Sequence, residues 1–187
     1  DVEDIVRRIR ERVKEALERL RKTNDDNRKH SEEVLRKLAE SDKRTMERIE
    51  RVLEELRRRS RTREVTKLVE DAIEKLRRRV RESHERVKRL FEDSKRTVDE
   101  SLERVERAIE ELKRVIDEVE ELARRGLPKE VVREMKRKIE ELLKRIEDEN
   151  KRLSDENREL NKRVEEDNRR LNKEIEDELR KVEEDVK

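Results

Sequence analysis

The sequence predicts an all-α fold: a long, nearly straight antiparallel three-helix bundle with helices of about 60 residues. Three observations predict it. Apolar residues recur at helical spacing over nearly all of the chain. Two breaks, near residues 61 and 127, divide it into near-equal thirds. Within each third the apolar stripe repeats every 18 residues.

The first helix is expected over about residues 2–58. Its apolar periodicity lapses after Leu56, across the basic run Arg57 to Arg63. Arginines suit a helix C-terminus, where they oppose the dipole. Ser60 or Thr62 can then cap a second helix, expected over about 63–124, with Glu64 in its first turn. Gly126-Leu127-Pro128 is the clearer break. Glycine suits the left-handed residue past a helix end, and proline the first turn of the next helix. The third helix is expected over about 128–187, and residues 1–187 are expected to form a single bundle. Short loops make consecutive helices run antiparallel.

The 18-residue register appears in each third. Val2, Leu20, Leu38 and Leu56 share it in the first helix, and Ile73, Phe91 and Ile109 in the second. Met135, Leu153 and Leu171 share it in the third. Eighteen residues are five turns at 3.6 per turn. A heptad repeat would impose left-handed supercoiling, whereas this interval keeps the stripe parallel to a straight axis. A solvated polyelectrolyte has no reason to keep such a register, which argues against disorder.

Several positions on these stripes are polar. The first helix carries Asn24, Asn27, His30, Ser31 and Ser41, with Thr23 and Thr45 beside them. The second carries Ser83, His84, Ser94, Thr97 and Ser101. The third carries Asn150, Asn157, Asn161, Asn168 and Asn172, spaced 7, 4, 7 and 4 on one side. Asparagine is a poor helix former, so propensity does not place it there. Folding about residue 61 brings Asn24 towards Thr97 and Ser41 towards Ser83. Folding about residue 127 brings Thr97 towards Asn157, Ser94 towards Asn161, and His84 towards Asn168 and Asn172. These fifteen stripe residues are expected to form two or three polar core layers. Buried amides and hydroxyls are tolerated only when hydrogen-bonded, and slippage would leave them unpaired.

Composition excludes much else. Charged residues make up 59% and apolar ones 29%. Lysine and arginine total 56 against 54 acidic residues, a net charge of +2, so no excess of one sign drives binding to nucleic acid or acidic membranes. There is no cysteine for a disulfide or thiolate site, and no apolar run long enough to span a bilayer. The start, Asp1-Val2-Glu3-Asp4, lacks the basic and apolar regions of a signal peptide. His30 and His84 have no second histidine at metal-ligand spacing, so no metal is expected. No glycine-rich loop, serine elbow or aromatic-laced basic patch is present, so no cofactor, catalytic residue or nucleic-acid partner is expected. The Arg57–Arg63 cluster is read as a helix end rather than an anion site.

Glu, Lys, Arg and Leu dominate, Trp, Tyr and Gln are absent, and there is one Gly, one Pro and one Phe. With the straight repeat, the Gly126-Leu127-Pro128 loop and the Asn/Ser/Thr/His layers, the chain resembles de novo designed helical bundles with buried hydrogen-bond networks. The resemblance implies a structural scaffold without natural activity or native location, soluble in the cytoplasm of an expression host. It requires no partner. The apolar faces, roughly 120–140° on the first and third helices and nearer 160° on the second, suit three mutually packed helices and a monomer. The alternative is an assembly module that forms a homo-oligomer or takes a designed partner helix. Members of the class use buried histidines as pH switches. If His30 or His84 is buried and neutral, stability falls as pH drops through about 6.5.

Overall fold

The computed structural model describes residues 2–126 and 128–186, and it is an all-α three-helix bundle. Helix α1 spans Val2–Arg59, α2 Arg63–Arg124 and α3 Lys129–Val186. Glu3 and Asp4 lie in the first turn of α1 and Arg57, Arg58 and Arg59 in its last, each opposing the helix dipole. Thr62 is the cap that starts α2. Its Oγ1 accepts from the Val65 amide at 3.2 Å, and its carbonyl accepts from Thr66 at 3.2 Å. Ser60 braces the turn by donating to the Thr62 carbonyl.

At the other turn, Gly126 has φ of 76° and its amide donates to the Ala123 carbonyl. Leu127, expected within this loop, lies outside the described residues. Pro128 stands one residue before α3 rather than in its first turn. Its carbonyl accepts from Val131 and Val132, so it fills the cap position. Proline has no amide hydrogen to leave unpaired there.

Helix α1 and helix α2 pair antiparallel. Arg57 meets Glu70, and Arg77 meets Glu50, both symmetric about the point between residues 63 and 64. Helices α1 and α3 therefore run parallel, with partners a nearly constant 126 to 131 residues apart.

Packing divides the chain into two compact units. The first holds Asp1–Lys29 and Ser94–Arg158, the second His30–Asp93 and Glu159–Lys187. In the first unit, Ile9 of α1, Leu112 of α2 and Ile139 of α3 meet in one cluster, and Leu20, Val105 and Ile146 in another. In the second unit, Leu56, Ile73 and Leu179 are fully buried together. A thinner cluster there has Val34, Leu38 and Val164 buried, with α2 adding only partly buried side chains. Among the described residues no helix is long and apolar enough to cross a membrane.

Candidate functional site: a polar seam between α1 and α3

Parallel running of α1 and α3 places the α3 asparagines beside the α1 hydroxyls and amides. In the first unit, Asn27 Nδ2 donates to the Leu153 carbonyl at 3.4 Å, and Asn157 Nδ2 donates back to the Asn27 carbonyl at 3.4 Å. In the second, Ser31 and Asn161 face each other at 3.5 Å, with Asn161 buried. Ser41 Oγ accepts from Asn172 at 2.8 Å and from Asn168 at 3.3 Å. Thr45 Oγ1 then donates to Asn172 Oδ1 at 3.0 Å. The Ser41, Thr45 and Asn172 contacts have strong geometry, and those at 3.4–3.5 Å are weak.

Helix α2 adds a buried hydroxyl to the core. Ser101 is fully buried and donates to Glu149 Oε2 at 2.6 Å rather than to an asparagine. Burial pushes the Glu149 carboxyl up. Hydrogen bonds from Ser101 and Arg104, with the charges of Arg152 and Arg104, outweigh that and hold it below the usual carboxylate range. Ser83, Ser94 and Thr97 are half-buried on α2, and Asn24 on α1. Asn150 is half-buried, with its Oδ1 enclosed and without a hydrogen-bond partner.

Both histidines depart from the expected core layers. His30 and His84 are both exposed, so the condition of a buried ring is not met. His84 lies 3.4 Å from Asp42. The register expected between α1 and α2 differs from the observed one. Folding about residue 61 places α2 roughly a turn away from its true level, because α1 and α2 are symmetric about residues 63–64. Asn161, Asn168 and Asn172 make their contacts with α1, a pairing that folding at the two turns does not bring forward.

Asp42 went unnoticed in the sequence. Burial raises its carboxyl pKa, and the proximity of His84 opposes that. Its only sequence signal is adjacency to Ser41. Arg12–Glu140 and Arg48–Glu176 also join α1 to α3, and each arginine holds its glutamate below the usual range by hydrogen bonding. Charged residues on a 59% charged chain carry no signal that selects these four. Among the described residues no cluster of His, Asp or Glu suits a metal ion.

No family model, curated protein or solved structure matches this chain.

Proposed function

We propose that this chain is a structural scaffold of designed origin, with no chemistry of its own, in which a network of polar contacts sets the register of α3 against α1. The observation that carries this reading is the seam itself. Asn161, Asn168 and Asn172 each meet an α1 hydroxyl at nearly the same sequence offset. Apolar stripes repeating every 18 residues discriminate poorly between registers, because a shifted helix still presents apolar groups. Amides do discriminate. A slip of one turn moves each by about 5.4 Å. That separates donor from acceptor, and each buried polar group left unpaired costs about 1–3 kcal/mol. Replacing polar pairs on both sides by apolar groups of similar shape is nearly neutral for stability, so the role is specificity rather than strength.

Distance measurement between spin labels tests this. The chain has no cysteine, so Lys37→Cys and Arg169→Cys, both exposed, carry labels uniquely. The parent should give one narrow distance. Replacing Asn161, Asn168 and Asn172 by leucine, with Ser31, Ser41 and Thr45 by valine, should keep the helix content but broaden or split that distance. An unchanged narrow distance would overturn the reading.

A further inference from the structure

In the second unit, α2 loosens. Val69, Ile73, Leu76 and Val80 are fully buried, but no α2 residue from Arg81 to Asp93 is. An open groove of about 1120 Å³ runs there between α2 and α3. Its floor includes Val87 and Leu90, half-buried, beside Val164 and Leu171 of α3.

The rims of this groove carry an ordered charge pattern. On α2, Glu82, Glu85, Arg86 and Arg89 line the groove at spacings that keep them on one helix face, beside Arg79, Arg81 and Asp93, which already have partners within the chain. Equivalent spacings elsewhere form ion pairs, as Arg59–Glu55 and Arg152–Glu156 do. Among the described residues, none of these four has a hydrogen-bond or ion-pair partner. Signs reverse about the point between residues 85 and 86, since Glu85 and Glu82 precede it as far as Arg86 and Arg89 follow it. On the α3 rim, Arg163, Asp167, Arg170 and Glu174 reverse sign in the same way about the point between 168 and 169. The Arg79–Glu174 pair fixes the level of one rim against the other. Counting along both helices from that pair, the two centres of reversal lie within about one residue, or 1.5 Å, of the same height.

We propose that this face is an interface for a second copy of the chain, packed antiparallel about a two-fold axis at that height, α2 on α2 and α3 on α3. A two-fold contact must be self-complementary, and these eight rim charges are. It sets Glu82 opposite Arg89 and Glu85 opposite Arg86, each twice. It likewise sets Arg163 opposite Glu174 and Asp167 opposite Arg170. Covering the half-buried floor supplies affinity, and the rims supply orientation. A foreign helix would need to bring its own matching pattern, whereas a second copy already carries it.

The test is solution mass by sedimentation equilibrium over a range of micromolar concentrations. The parent should reach the mass of two chains, with a salt-weakened dimer. One variant, Glu82→Arg with Glu85→Arg, makes the α2 rim wholly basic. Another, Arg86→Glu with Arg89→Glu, makes it wholly acidic. Circular dichroism verifies that each stays helical. Each alone should self-associate at least about tenfold more weakly, and mixing the two should restore a two-chain species. A parent that stays monomeric throughout, binding only other helices or nothing, overturns the proposal. So does a dimer that neither variant weakens, because its interface then lies elsewhere. If either variant loses helix, the milder pair Glu85→Gln and Arg86→Gln should still weaken the dimer, and an unaltered dimer mass again overturns the proposal.

Discussion

Ser101 shows what one side chain does in this core. It occupies the stripe position shared with Val65 and Val119, and the sequence marks it as a polar group where an apolar one belongs. Its partner was not legible. Glu149 is one residue from Asn150, and a glutamate on so charged a helix reads as solvated. The pair has a direct consequence. Ser101→Ala removes a donor from a carboxylate that is only 20% exposed. Urea denaturation at neutral pH should show a loss of about 1–3 kcal/mol, the usual cost of stranding such a group. NMR titration of Glu149 should show its pKa rising. The histidines give the contrasting case. Both lie on the polar stripes, yet each ring is exposed, because a wheel position at the edge of a stripe is not yet a buried one. Changing His30 to asparagine should leave the unfolding free energy at pH 7, measured by urea denaturation, unaltered within the roughly 0.5 kcal/mol typical of surface substitutions.

Element boundaries were legible because they rest on local chemistry. Thr62 satisfies an orphan amide, and Gly126 adopts a positive φ that other residues resist. Gly126→Ala meets no steric neighbour within 4 Å, so any loss comes from the backbone alone. A loss of about 1–2 kcal/mol is expected, the cost of left-handed geometry for an L-residue, measured as a lower thermal midpoint. Relative placement of the helices was less legible. An error of two or three residues at a turn moves every cross-helix pairing by about a turn, since a shift at the fold point is doubled at the contact. The α1–α3 seam was further hidden because its partners are never close in sequence. What identified them was the residue type, with asparagine on α3 facing hydroxyl and amide on α1.

For the whole molecule, pH ties these details together. Glu74, Glu140, Glu149 and Glu176 are each held below the usual carboxylate range in the folded state. Their contribution is fully present above the unfolded value of about 4.3 and is lost as pH falls through their folded values. Asp42 works the other way. Its folded pKa is raised, so its burial cost is felt at neutral pH and relieved on acidification. Four groups against one should make the bundle weaken below about pH 4. Denaturation midpoints at a series of pH values should show that decline. Asp42→Asn should raise the midpoint at pH 7 and steepen the decline with acid. A midpoint for Asp42→Asn equal to or below the parent's at pH 7 would show that the carboxylate is not under strain.

The seam between α1 and α3 also bears on how the chain finds its fold. Arg57 and Glu70 close a loop of 13 residues, while Thr45 and Asn172 close one of 127. Chain entropy grows as three-halves RT times the logarithm of loop length, so the longer closure costs about 2 kcal/mol more if made first. The contacts of the two hairpins, α1 with α2 and α2 with α3, therefore close at lower cost than the contacts between α1 and α3. Asn172→Ala should accordingly accelerate unfolding and leave the folding rate nearly untouched, with a φ-value near zero in stopped-flow experiments. The polar seam then acts as a late proofreading step, which locks an arrangement that cheaper, closer contacts have already assembled.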